Sequence, residues 1–155
     1  MNDKPAVSIE QPGERLIWAL TRCYHRLAVL SDALHGPFDI STGERAIMLL
    51  IAQQPGLTIS RIAEERGVSR QFIHRIVRGL VERGWLIAEA NPRHARSPCL
   101  ALTVSGAAEV ALMRERERGL WDELGNDLDA HVLGEAAWPI EMLTARVDRL
   151  IARLD

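Results

Sequence analysis

The chain has 155 residues, of which 47% are hydrophobic and 26% are charged, and its formal net charge is −2. This size and balance fit one compact domain, or a subunit that shares its core with a partner, without internal repeats or low-complexity segments. No apolar run approaches the length of a membrane span, and the start lacks a signal-peptide pattern, so we expect no membrane association. Two isolated cysteines in no metal-ligand spacing predict a cytoplasmic protein without a disulfide framework.

The first predicted helix, residues 10–36, has an apolar stripe whose members alternate four and three residues apart. A similar stripe lies near the end of the chain, within residues 126–155. Either stripe could pack inside a monomer, but their places at both ends favour dimerisation helices shared by two subunits. Pro139 predicts a kink in the last helix, or its start, because proline removes a backbone donor. The stripes contain Leu16, Leu20, Cys23, Leu27, Leu30 and Leu34, and then Ile140, Leu143, Val147, Leu150 and Leu154.

Two short helices joined by a tight turn are predicted in the middle of the chain. Thr58 can cap the first helix, and Gly67 ends it because a residue without a Cβ readily adopts a left-handed conformation. Val68 is then expected to turn toward the core, and Ser69 to cap the second helix. This order predicts a helix-turn-helix. Caps are also predicted for the helices on either side, at Ser41-x-x-Glu44 and at Thr103.

The second helix of this pair is amphipathic. Its inward residues repeat at helical spacing, and its outward residues are mainly cationic or amide side chains. Arginine can bond guanine bidentately, glutamine can do the same with adenine, and the major groove admits a helix. We therefore predict that this helix recognises DNA. The inward residues are Ile73, Ile76, Val77 and Leu80, and the predicted DNA contacts are Ser69, Arg70, Gln71, His74, Arg75 and Arg78.

A two-stranded wing is predicted after the recognition helix. Gly84 stops the helix, and residues 85–88 and 99–102 have the apolar pattern of two short strands around a polar loop. The loop has cationic side chains and no acid, which suits contact with phosphates or a narrow minor groove. Its predicted DNA contacts are Arg93, His94 and Arg96.

The charge of the chain is distributed unevenly. Residues 58–96 hold eight arginines and four acids, so this segment has a charge of +4 and the remainder of the chain has −6. DNA binding requires local positive potential rather than a basic total, so the net charge of the whole chain does not argue against it.

Three motifs occur together within residues 41–106: Ile62-Ala63 with Gly67-Val68-Ser69, then Leu80-Val-Glu-Arg-Gly-Trp-Leu86, then Leu102-Thr-Val-Ser-Gly106. Together they resemble the MarR family of winged helix-turn-helix transcriptional regulators. The resemblance implies a homodimer that represses transcription from a pseudopalindromic operator. The family wing reads Asp-x-Arg-Asp-x-Arg. Arg93 and Arg96 match this pattern, whereas Asn91 and His94 replace the aspartates and remove negative charge, which favours DNA contact.

The sequence thus predicts a mainly α fold with a small β wing, in which a winged helix-turn-helix domain is flanked by dimerisation helices. Residues 1–155 form a single subunit. Its DNA-binding region is 41–106, its connecting long helix is 104–125, and its dimerisation helices are 10–36 and 126–155.

The predicted function is that of a homodimeric transcriptional regulator that binds double-stranded DNA, acting as a repressor released by a small-molecule effector. A small aromatic or phenolic effector would bind between the dimerisation helices and the recognition lobe, and would change the spacing of the two recognition helices. Trp18 and His25 are the candidate effector contacts.

Two other functions stay open. Cys23 lies close to His25 and Arg26, and thiols near cations can sense oxidants, although a small buried hydrophobe is the more ordinary role for it. A winged helix can also serve in protein assembly without DNA. The five histidines show no metal-ligand spacing, and we find no phosphate loop, nucleophile elbow or carboxylate pair. We therefore predict neither a metal, nor a cofactor, nor an enzyme.

Overall fold

The computed structural model describes residues 11–92, 94, 96–127 and 129–154. Within them the fold is mainly helical with one small antiparallel sheet, as predicted from the sequence. Two compact units divide at Met113 and Arg114, and the helix α5 runs across the division. The helices are α1 Pro12–His35, α2 Thr42–Gln53, α3 Ile59–Arg66, α4 Arg70–Glu82, α5 Val104–Asp127 and α6 Ala130–Ile151. The strands are β1 Leu86–Glu89 and β2 Cys99–Leu102, and a 3-10 turn, Gly36–Phe38, joins α1 to α2.

The first unit has a core built from α2, α3, α4, the two strands and the start of α5. Each of these elements contributes at least one fully buried apolar side chain, and each such side chain contributes about 1.5–3 kcal/mol by leaving water. The core therefore packs the helix-turn-helix and its wing together as one body. Its most deeply buried members include Ile47, Met48, Ile51, Ile62, Ile73, Leu80, Leu86, Leu100 and Met113.

Both predicted caps of the flanking helices are present. The backbone N–H of Glu44 donates to Ser41 Oγ at 3.3 Å, and the Glu44 carboxylate accepts from the Ser41 backbone N–H at 2.9 Å. At the start of α5, Thr103 Oγ1 accepts from the Gly106 N–H at 3.0 Å and donates its own proton to the Gly84 carbonyl at 2.6 Å. Thr103 therefore caps α5 and also ties its start to the end of α4.

Cys23 is exposed in the single chain. Because it belongs to the α1 stripe that the sequence predicts to be shared with a second subunit, its burial stays a prediction. Two expectations from the sequence need correction. Val68 does not turn inward: it is 39% exposed, although its backbone N–H completes the turn by bonding the Ala63 carbonyl, because the packing of the chain leaves this side chain uncovered. Pro139 lies inside α6 and does not start it, because the helix begins at Ala130, where the Asp129 carboxylate accepts from the His131 N–H at 2.9 Å.

Among the described residues, no helix combines the length and the apolar character that crossing a membrane would require.

Candidate nucleic-acid interface

The turn between α3 and α4 has the geometry of a helix-turn-helix. Gly67 is in the left-handed region with φ 61°, and its N–H bonds the carbonyls of Ala63 and Glu64 at the end of α3. Thr58 Oγ1 accepts from the Arg61 N–H at the start of α3, and Ser69 Oγ accepts from the Phe72 N–H at 3.2 Å at the start of α4. The predicted turn and both of its predicted caps are therefore confirmed.

Helix α4 buries one face and exposes the other, as its periodicity predicts. Ile73, Val77 and Leu80 are buried, and Ile76 is half-buried. This packing holds the axis of α4 against the core, so the polar face is turned to solvent. All six predicted contacts of this helix are accessible to solvent: Ser69, Arg70, Gln71, His74, Arg75 and Arg78.

The arginines of this segment differ in their electrostatic surroundings. Arg78 lies 3.6 Å from the Glu82 carboxylate, and Arg61 on α3 lies 2.9 Å from Glu64. Arg70 and Arg75, in contrast, have no acid within ion-pair distance among the residues that the structure describes. Their charge is therefore available to an external anion, whereas that of Arg78 and Arg61 is partly neutralised.

The wing is held to the helix-turn-helix by backbone hydrogen bonds. β1 and β2 pair antiparallel in a register that sets Leu86 opposite Leu102 and Glu89 opposite Cys99. On the other edge of β2, the Leu100 N–H donates to the Leu57 carbonyl at 2.8 Å, in the loop before α3. The first strand begins one residue later than predicted, at Leu86, because Trp85 still belongs to the turn: its N–H bonds the Leu80 carbonyl.

The wing loop is closed by a neutral amide. Asn91 Nδ2 donates to the Ser97 carbonyl at 2.8 Å, and two backbone bonds link His94 with Asn91 and with Ser97. Asn91 stands where the family wing has an aspartate, so here a side-chain donor rather than a carboxylate shapes the loop. The side chains of His94 and Arg96 are exposed. Arg93, also predicted as a DNA contact, lies outside the described residues.

One arginine of the basic segment makes its contacts within the protein itself. Arg83, just after α4, donates to both the backbone carbonyl and the carboxylate of Asp39, and its guanidinium lies 4.9 Å from the centre of the Trp85 ring. Its side chain is only 29% exposed. The sequence places Arg83 in the positive segment but does not reveal this role, because the two partners are 44 residues apart and no local pattern joins them.

A cavity of ≈ 500 Å³ lies between α1, α2 and the helix-turn-helix. We call it the α1–α4 cavity. Neither Trp18 nor His25, the candidate effector contacts, is among its lining residues. Trp18 is exposed elsewhere on α1, with the Arg22 guanidinium 5.5 Å from its ring, and the His25 ring packs edge-on to Tyr24. Residues that line the cavity include Tyr24, Asp32, Thr42, Glu65, Arg66 and Phe72.

No group of three or more His, Cys, Asp or Glu side chains that could hold a metal ion occurs within the part of the chain that the structure describes.

A helix-turn-helix with an exposed second helix, followed by a two-stranded wing, defines a winged helix-turn-helix protein. Residues 38–97 match the model of the MarR family. The match covers the helix-turn-helix, the first strand and the loop of the wing, so the resemblance carried by the sequence motifs is confirmed.

Individual proteins agree with this assignment. An uncharacterized protein of Mycobacterium tuberculosis is 30% identical over 92 residues, which cover 59% of this chain and 64% of that protein. The HTH-type transcriptional regulator PetP of Rhodobacter capsulatus is 26% identical over 102 residues, which cover 66% of this chain and 61% of PetP. The chain thus spans less than two thirds of the length of these relatives.

Among solved structures, a mutant MarR from E. coli complexed with operator DNA has the same fold. Its TM-score is 0.65 at 23% identity, and the match covers 82% of this chain and 94% of that one.

Proposed function

We propose that this protein is a homodimeric transcriptional regulator that binds a pseudopalindromic DNA operator and represses transcription until a small molecule releases it. The observation that carries the proposal is the exposed polar face of α4, where Arg70, Gln71 and Arg75 project from a helix that is fixed to the core by its other face. Such a helix can enter a major groove and present bidentate donors to base edges.

The wing supports the same function. His94 and Arg96 are exposed on the wing loop. Two hydrogen bonds hold this loop and its strand in place: Asn91 Nδ2 donates to the Ser97 carbonyl, and the Leu100 N–H of β2 donates to the Leu57 carbonyl. A basic loop beside a recognition helix can contact phosphates or an adjacent minor groove. The similarity to PetP and to a MarR protein solved with operator DNA agrees with this proposal.

A homodimer is supported by two apolar surfaces that the single chain leaves uncovered. Helix α1 exposes large apolar side chains, and so, separately, does α6. Monomeric proteins rarely expose extended apolar surface, because burying it in a partner is favourable. We therefore assign both helices to subunit association. The exposed side chains include Leu16, Ile17, Trp18, Leu27 and Val29 on α1, and Val132, Leu133, Trp138, Ile140, Met142, Val147, Leu150 and Ile151 on α6.

Effector release is assigned to the α1–α4 cavity. Its walls come from α1 and α2 on one side and from the end of α3 and the start of α4 on the other. A ligand that fills it contacts the recognition helix and a dimerisation helix at once, so it can favour one spacing of the recognition helices over another.

The test is to select duplexes from a random DNA pool with the purified full chain, and to measure affinity for the selected and a scrambled duplex at physiological salt. We expect a site with two-fold symmetry, bound about 10³-fold or more tightly than the scrambled duplex. Equal affinity for both duplexes would reject a sequence-specific regulator, and no affinity for either would favour a winged helix used in protein assembly.

A further inference from the structure

The α1–α4 cavity has more negative than positive charge in its lining. Asp32 from α1 and Glu65 from α3 line it, against a single cation, Arg66. Among the described residues, neither carboxylate has a cation within ion-pair distance. Asp32 Oδ1 accepts from the Thr42 hydroxyl at 2.6 Å, and Glu65 Oε1 accepts from the Gln54 amide at 3.3 Å. Both donors are neutral, so they orient the carboxylates without cancelling their charge.

Each carboxylate also has room for a further partner. An ionised carboxylate can accept about four hydrogen bonds, and these two each accept from one neutral side chain. A cationic group entering the cavity can therefore pair with them without breaking the existing contacts.

Two aromatic rings complete the lining. Tyr24 of α1 is 67% exposed and Phe72 of α4 is 43% exposed, and both residues line the cavity. The faces of aromatic rings attract cations, and clustered rings are a common recognition site for quaternary ammonium groups. The remaining wall is apolar, with Ile47, Ile73 and Ile76. A volume of ≈ 500 Å³ suits a small organic molecule.

We propose that the α1–α4 cavity binds an organic cation with an apolar or aromatic body. Of the aromatic or phenolic effector that the sequence predicts, this keeps the aromatic alternative and replaces the phenolic one. A phenolate or carboxylate would meet two carboxylates for one guanidinium, which selects against an anion. The inference rests on the proposed function only for its consequence: binding of the cation should lower DNA affinity.

A second cavity, of ≈ 330 Å³, differs from the α1–α4 cavity in the charge of its lining. It lies at the base of the wing, is lined by Arg61 and His94, and has no acid among its described lining residues. An organic anion that binds the protein could occupy this second cavity, so the test must locate each probe by substitution as well as measure its affinity.

The experiment titrates the full chain, without DNA, with benzyltriethylammonium and with phenylacetate, using calorimetry. We expect the cation to bind more tightly than the anion. Asp32→Asn and Glu65→Gln should each weaken the cation by about two- to fivefold, the effect of one partly solvated charge pair. Phe72→Leu keeps an apolar wall but removes the ring face, and should weaken the cation by a similar factor while leaving phenylacetate unaffected.

Glu64→Gln is the matched control. Glu64 precedes Glu65 on α3 and bears the same charge, but it pairs with Arg61 and does not line the α1–α4 cavity. We expect this variant to bind the cation as the native chain does. If Glu64→Gln weakens the cation as much as Glu65→Gln, the effect is a general one of surface charge and the assignment is wrong.

Two further outcomes distinguish a wrong ligand class from a wrong regulatory function. A protein that binds its operator but prefers phenylacetate to the cation, or binds no cation at all, overturns the ligand class and leaves DNA binding intact. A protein that binds the cation in this cavity, with unchanged DNA affinity, supports the ligand class and rejects effector release. If Asp32→Asn fails to fold, the comparison of Glu65→Gln with Glu64→Gln still tests whether the cation binds in this cavity.

Discussion

Gly106, in the first turn of α5, lies against the backbone of Trp85. A Cβ at this position would overlap the Trp85 carbonyl oxygen, which is backbone and cannot move aside as a flexible side chain could. We expect Gly106→Ala to lower the free energy of unfolding by at least about 2 kcal/mol, measured by urea denaturation. Gly119→Ala, in the same helix with open space around it, should instead be neutral or stabilise by up to about 1 kcal/mol. Equal effects of the two substitutions would show that α5 does not approach Trp85 so closely.

Asn91 provides a second test at the scale of one residue. Its amide donates to the Ser97 carbonyl, and an aspartate cannot make that bond at neutral pH because a carboxylate has no proton to donate. Both Asn91→Asp and Asn91→Ala remove the hydrogen bond to Ser97. We expect Asn91→Asp to lower DNA affinity more, because it also adds negative charge beside the phosphates. Affinity for a fixed duplex at several salt concentrations measures this, and equal or tighter binding by Asn91→Asp would contradict the role of the amide.

At the scale of elements, α4 and the wing should contribute to DNA binding in different ways. Replacing Gln71 or Arg75 by Ala should cost about 1–3 kcal/mol on the selected duplex and relax base preference, because both are exposed on the helix that enters the groove. Arg96→Ala should weaken binding to all duplexes alike. It should also reduce the slope of log affinity against log salt by about one for each phosphate that the arginine neutralises. If Arg96→Ala leaves both the DNA affinity and its salt dependence unchanged, the wing is a solvated loop that does not contact DNA.

Arg83 should behave differently from the arginines of α4 and the wing. Because it donates to Asp39 and stacks on Trp85, Arg83→Met should lower the free energy of unfolding by about 1–3 kcal/mol. Its DNA affinity should fall through displacement of the end of α4, without a change in the salt slope, because Arg83 neutralises no phosphate. Asp39→Asn should reproduce part of the decrease in stability. A reduced salt slope in Arg83→Met would instead show that Arg83 binds a phosphate.

For the whole molecule, the uncovered apolar face of α6 should decide the oligomeric state. Leu150 is 52% exposed in the single chain, and burying a charge in its place at an apolar interface is costly. We expect Leu150→Glu to shift the protein from dimer to monomer in sedimentation experiments and to weaken operator binding. Arg149→Glu, the neighbouring exposed residue on the same helix, is the control and should remain a dimer. A dimer in both variants would place the interface elsewhere.

The local pattern of the sequence was enough to predict the helix-turn-helix, its caps and the wing. The reason is that these features depend on contacts within a few residues: Thr58, Gly67 and Ser69 act on the turn next to them, and the spacing of Ile73, Val77 and Leu80 defines a buried face wherever the core lies. The outward direction of Arg70, Gln71 and Arg75 follows from the same periodicity.

What the sequence could not determine depends on residues far apart in the chain. Three features each join segments that share no local pattern. They are the ion pair of Arg83 with Asp39, the close approach of Gly106 to Trp85, and the acidic lining of the α1–α4 cavity. The exposure of Val68 was also decided by tertiary packing, since a hydrophobic residue after a turn can face either way. Periodicity specifies which face of a helix is apolar, whereas only the packed structure specifies what lies opposite that face.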